Sequence, residues 1–98
     1  MQLNPNDAGA HNNLGVILAA LQRFKEAAFH FQEAVRVDPH QAVFHRNLGA
    51  AMHNLGRDRE AISHCQRALR LDPDDPKARI FLRRAEAQLQ QSSRTPKP

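Results

Sequence analysis

The 98-residue sequence has no apolar run near the 18 or so residues that a membrane-spanning helix needs, so no segment reads as a span and no membrane partner is expected. Its first residues, Met1-Gln2-Leu3-Asn4-Pro5, have neither a charged leader nor an apolar stretch, and so do not read as a secretory signal. A single cysteine, Cys65, excludes an internal disulfide and suits a reducing compartment; the expectation is a cytoplasmic chain. There is no glycine-rich phosphate loop, no arrangement of paired carboxylates and no Ser-His-Asp order. No catalytic residue and no cofactor are expected, and the chain reads as non-enzymatic. No aromatic platform interleaves Arg57, Arg59, Arg67 and Arg70, which disfavours nucleic acid as a partner. The net charge of +4 is ordinary for a small folded domain, although it favours acidic peptides over basic ones.

What the chain does have is repetition. Asn13-Leu14-Gly15 returns as Asn47-Leu48-Gly49, 34 residues on. Each copy is followed by an alanine (Ala27, Ala61), a second alanine (Ala34, Ala68) and an Asp-Pro pair (Asp38-Pro39, Asp72-Pro73). Residues 8–41 aligned with 42–75 give 15 identities in 34 positions, well above chance, so the repeat is internal and real. Residues 1–7 end in Leu3-Asn4-Pro5-Asn6-Asp7, which echoes the ends of both copies, and read as a remnant of a preceding repeat or a linker. The length suffices for one small core.

Within each copy the apolar spacing is helical. Ala10, Leu14, Ile17, Leu18 and Leu21 form the inward stripe of a helix over residues 7–20, which Asn6 or Asp7 can cap. A second helix, 24–36, turns Ala27, Ala28, Phe31, Ala34 and Val35 inward, and Pro39 lies beyond its end. The second copy predicts helices over 41–54 (Phe44, Leu48, Ala51, Met52 and Leu55 inward) and 58–70 (Ala61, Ile62, Cys65, Ala68 and Leu69 inward). Gly56 suits the turn between them, and Asp58 is a candidate cap. A fifth helix starts at Pro76 after a capping Asp75 and keeps its period to about residue 91. Residues 92–98 are polar and proline-ended, and read as a disordered tail.

The 34-residue unit of Leu-Gly, Ala, apolar, Ala and Pro resembles the tetratricopeptide repeat (TPR). That resemblance covers residues 8–90 and implies an all-α superhelix, or solenoid, of five antiparallel helices: repeats at 8–41 and 42–75, then a capping helix at 76–91. It implies that Ala27 and Ala61 face the notches left by Gly15 and Gly49, with Phe31 and Cys65 filling the core; the smaller Cys65 implies looser packing in the second repeat. Two positions depart from the pattern. His11 and His45 stand where the family often has tryptophan, and Arg83 stands where the third unit would have its glycine, which suits a helix that ends an array.

Six histidines raise the question of a metal, which needs three or four converging ligands. His11/His45 and His30/His64 recur by duplication, with His30 and His64 expected on outer faces, so no metal site is expected. Cys65 is placed in the core rather than as a nucleophile.

The family's concave face, lined by the first helix of each unit, is the expected site. It implies Gly9, Asn12, Asn13, Val16 and Ala20 from the first helix, and Val43, Arg46, Asn47, Ala50, His53 and Asn54 from the third. Lys77, Ile80, Phe81 and Arg84 come from the fifth. Asn13 and Asn47 are equivalent and resemble the asparagine ladder of O-linked N-acetylglucosamine transferases, whose carboxamides pair with an extended backbone. Arg46, Lys77 and Arg84 would attract carboxylates. The carboxylate clamp of chaperone-adaptor TPR domains is matched at two of five positions, Asn47 and Lys77, with Asn12, Val16 and Phe81 departing; it is not expected here. The function implied is a protein-interaction scaffold that binds a peptide or helix of a partner. The alternative is self-association into a stacked or domain-swapped homo-oligomer.

Overall fold

The computed structural model describes residues 4–94. Its elements are α1 (Ala8–Ala20), α2 (Phe24–Val37), α3 (Ala42–Asn54), α4 (Asp58–Leu71) and α5 (Pro76–Arg94), with no strand among the described residues. Short turns make α1–α2 and α3–α4 hairpins, and α2 then packs on α3 and α4 on α5. α1, α3 and α5 pack in series, whereas the α2 and α4 backbones do not approach each other closely. The first helices therefore crowd one side while the second helices splay on the other, and the body is elongated, 51 × 29 × 19 Å. This is an all-α solenoid.

Local chemistry sets the helix ends. Asp7 caps α1, its carboxylate accepting from the Ala10 N–H at 2.9 Å. Asp75 does the same for α5, accepting from the N–H groups of Lys77 and Ala78. α2 and α4 begin without a side-chain cap; acidic residues in their first turns, Glu26 in one and Asp58 and Glu60 in the other, complement the helix dipole instead. Asp58 is thus the first residue of α4 rather than its cap. Both hairpin turns close with the same two bonds: Arg23 N–H to Leu18 and Gln22 N–H to Ala19 in the first, Arg57 N–H to Met52 and Gly56 N–H to His53 in the second. This arrangement needs a left-handed residue just past the helix. Gly56 supplies it at φ 78°, and Gln22 occupies the same position at φ 61°.

A single core runs through both hairpins: Leu18, Ala27, Ala28, Phe31, Leu48, Ala51, Met52 and Ala61, joined by Ala85 of α5. The notches work differently from expectation. A Cβ on Gly15 would lie 2.5 Å from the Phe31 ring, so the ring, not Ala27, fills that notch. A Cβ on Gly49 would meet Cys65 Sγ at 2.6 Å and the Ala61 carbonyl oxygen at 3.2 Å. With a thiol in place of a ring, the α4 backbone itself closes on the glycine. Cys65 is fully buried.

Ile17 and Leu21, expected inside, are 58% and 60% exposed. Their repeat equivalents are Ala51, 2% exposed, and Leu55, half-buried, because α2 covers that side of α3. Among the described residues nothing packs on the same side of α1. α5 is also longer than its apolar period, continuing to Arg94. Residues 92–94 are helical rather than tail-like because no proline interrupts them until Pro96, which disfavours helix in the residue before it. The rest of the expected tail, 95–98, and residues 1–3 of the expected remnant lie outside the described residues.

Candidate functional site

A cavity of about 210 Å³ opens on the side where α1, α3 and α5 meet. Val16 and Ala19 form its α1 wall, Lys77 and Phe81 its α5 wall, and Arg46, Asn47, Ala50, Ala51 and Asn54 its α3 side. Phe31 of α2 lies at the bottom. Seven of the residues expected in the groove are thereby brought together: Val16, Arg46, Asn47, Ala50, Asn54, Lys77 and Phe81. Ala19, Phe31 and Ala51 were not expected in the lining, since the expected residues were the outward positions of the first helices. Gly15 was the available signal: with no Cβ there, the Phe31 ring lies against α1 and reaches the groove.

The polar groups of the groove are largely engaged with one another. Asn47 Nδ2 donates to Asn12 Oδ1 at 2.9 Å, so the carboxamide pair across α1 and α3 is 12–47 rather than 13–47. Asn13 is exposed, one position further round α1. Asn54 Nδ2 donates to the Ala50 carbonyl at 3.1 Å. Arg46 Nη1 donates to Asp75 Oδ2 at 3.0 Å, and both side chains are largely buried. The Arg46 charge, one of the three expected to draw carboxylates, is thus matched inside the protein. The Arg46 Nε is buried with no partner. Lys77 is exposed at the cavity edge, and Arg84 places its guanidinium 6.0 Å from the Phe81 ring centre, at the limit of a cation–π contact. His53 is not in the lining: its Nδ1 donates to Asp58 Oδ1 at 2.9 Å, tying the end of α3 to the start of α4.

The histidines pair within each hairpin. His11 stacks on His30, with ring centres 5.3 Å apart, and His45 on His64 at 6.0 Å. His30 and His64 are half-buried, each stacked on the imidazole that α1 or α3 presents, and not on a bare outer face. The Nε2–H of His11 donates to the Pro5 carbonyl at 3.2 Å, and that of His45 to Pro39 at 2.9 Å. In the third unit Arg79 donates to Pro73 at 2.8 Å. The same position of each unit thus holds the preceding proline turn, by imidazole twice and by guanidinium once. The bond to Pro5 makes His11 Nδ1 an acceptor, facing His30 Nδ1 at 3.1 Å. Burial and the neighbouring His11 lower the His30 pKa, and burial and His45 lower that of His64. Burial, with Asp75 nearby, raises the Cys65 thiol to about 11, which keeps it protonated. Among the described residues no three His, Cys, Asp or Glu side chains converge as metal ligands would, and no helix is long and apolar enough to cross a membrane.

Comparison with solved structures finds close likeness of fold. The TPR domain of Arabidopsis OM64 superposes with a TM-score of 0.83 at 20% identity, over 88% of this chain and 71% of that one. The first TPR of Spaghetti (RPAP3), bound to the HSP90 peptide SRMEEVD, superposes with a TM-score of 0.85 at 24% identity, over 89% and 69%. Comparison with curated proteins finds no match. The tetratricopeptide repeat profile matches residues 18–79, more than half of the sequence. With that match, and with two nested hairpins notched by glycine in the same register, the chain belongs to the tetratricopeptide repeat family.

Proposed function

We propose that the chain is a non-enzymatic scaffold that holds a segment of a partner protein, as a peptide or a helix, in the groove of α1, α3 and α5. One observation carries this. The cavity has an apolar lining that includes Ala19, Phe31 and Ala51, and the exposed charge at its edge is that of Lys77, since Arg46 is paired with Asp75. At about 210 Å³ it is smaller than a small-molecule site and suits an anchoring side chain. A solved TPR domain of this fold holds an acidic peptide, which supports a peptide occupant. This chain matches the chaperone clamp at only two positions, so that particular peptide is not carried over. Ala50→Arg fills the cavity from a half-exposed position and Lys77→Glu reverses its rim charge. Both variants keep native helicity and lose partner binding. Chemical shift changes on binding that fall on α2 and α4 instead would sink the groove assignment.

A second reading, self-association, is favoured by the open face of α1. Ile17 and Leu21 are exposed there, and no residue from Ala8 to Ala20 is charged. An uncharged apolar face can meet its own copy about a two-fold axis without like-charge repulsion. Ile17→Glu abolishes any dimer seen by sedimentation; a wild-type monomer at high concentration disposes of this reading.

A further inference from the structure

We propose that the exposed face of α4 is a second docking surface, separate from the groove, and that it takes an acidic segment of a partner protein.

The first hairpin is the internal control. Residues 1–41 carry three Lys and Arg against four Asp and Glu, whereas residues 42–98 carry eleven against six, so the basic excess lies beyond the first repeat. In the first hairpin Arg23 pairs with Glu26 at 2.8 Å and Arg36 with Glu33 at 3.2 Å. The repeat equivalents of Glu33 and Arg36 are Arg67 and Arg70. An ion pair on α2 is thus replaced on α4 by two cations three residues apart, neighbours on the helix surface, where like charges repel.

Arg59 extends the same stripe. At 3.6 residues per turn, positions 59, 63, 67 and 70 fall within about 80° of one another around the helix. Arg59, Ser63, Arg67 and Arg70 are all exposed. Among the described residues no acidic side chain pairs with any of the three arginines. Eleven residues of helix make the stripe about 16.5 Å long. Glu33 shows that the scaffold accepts a glutamate where Arg67 stands, so the fold itself does not call for the repulsion. Carboxylates laid between Arg67 and Arg70 and beside Arg59 turn it into attraction, and the planar guanidinium fork can meet each of them with two parallel hydrogen bonds.

The ends of the stripe select the partner. Glu60 stands at its start, Asp72 and Asp74 follow its end, and all three are exposed. A nucleic-acid strand is charged at every nucleotide and would run on past these carboxylates. α4 also has no Phe, Tyr or Trp on which a base could stack. A short acidic segment of a protein ends within the stripe and meets neither obstacle.

The probe is a labelled peptide of about twelve glutamates, which outreaches the stripe even as a helix. Its binding to the whole chain is followed by fluorescence anisotropy at low salt. Arg59→Glu and Arg67→Glu should each weaken it about tenfold or more, a loss that shrinks in high salt, while Lys25→Glu at the matching position of α2 leaves it unchanged. Arg67→Glu also restores the Glu33–Arg36 spacing on α4, so its thermal midpoint should rise although its binding falls. No binding by the wild-type chain, or binding indifferent to Arg67→Glu, would overturn the surface and leave the groove reading in place. So would a loss that follows Lys77→Glu alone, which would put the peptide in the groove. A midpoint lowered by Arg67→Glu would show that Arg67 and Arg70 do not repel, and would remove the ground of the proposal. Duplex DNA that outcompetes the peptide on this face would overturn the assignment to an acidic protein.

Discussion

Asp75 accepts from Arg46 of α3 at 3.0 Å through one carboxylate oxygen, and from the backbone of Lys77 and Ala78 through the other. A single side chain thus starts α5 and fastens it to the floor of the groove. Removing it leaves a buried guanidinium unpaired and a helix uncapped. Asp75→Ala should cost about 3–5 kcal/mol for the broken pair and about 1 kcal/mol for the cap, much of a small domain's stability. Arg46→Met should cost less, because the carboxylate keeps its two backbone donors. Urea denaturation of the two variants checks the order.

Gln22 and Gly56 hold the same left-handed turn, but only one of them is suited to it. A Cβ on Gly56 would meet nothing within 4 Å, so the strain of a side chain at this position is purely that of the backbone. Gln22→Gly should stabilise the fold by about 1 kcal/mol, less some loss from glycine's greater freedom when unfolded, and Gly56→Gln should do the reverse. Thermal melts of both variants report the sign.

Gly15→Ala drives a methyl into the Phe31 ring. Overpacking of about 1–3 kcal/mol outweighs the helix gain of about 0.5–1 kcal/mol from replacing glycine. Adding Phe31→Leu should recover most of the loss. At Gly49 the matching rescue by Cys65→Ala should be weaker, since the Ala61 carbonyl of α4 stands 3.2 Å from the added atom. A double-mutant cycle at each notch separates the two cases.

Acid should destabilise the fold through its histidine pairs. His30 and His64 have folded pKa values below the usual 6.5, so the unfolded chain takes up their protons first as pH falls. Stability is therefore full above pH 6.5 and declines as the pH drops through 6.5 toward the folded values. His64→Phe should flatten this dependence. Chemical denaturation at several pH values between neutrality and mild acid gives the slope, and a slope unchanged by His64→Phe contradicts the assignment.

The helices were readable because they are local. Apolar spacing, Asp7 and Asp75 as caps, and Pro39 and Pro73 as stops each act within a turn or two of chain. The repeat then placed Val16, Ala50, Lys77 and Phe81 on one side, since equal positions in equal units face alike. The exposure of Ile17 and Leu21 was not readable. Their spacing is that of buried residues, and only the packing of α2 against α3, with nothing equivalent on α1, separates them from Ala51 and Leu55.

The sequence by itself determined an all-α repeat, the approximate bounds of its first four helices and which residues share the face of α1, α3 and α5, because periodicity and turn chemistry are encoded over a few neighbouring residues. The tertiary structure alone decided which polar groups remain available on that face. Asn47 turns to Asn12, Arg46 to Asp75 and His53 to Asp58. Each choice depends on where a different helix brings its partner, within a hydrogen bond's reach of about 3 Å, and helix offsets at that scale are set by the packing of Phe31 and Cys65 rather than by the repeat pattern.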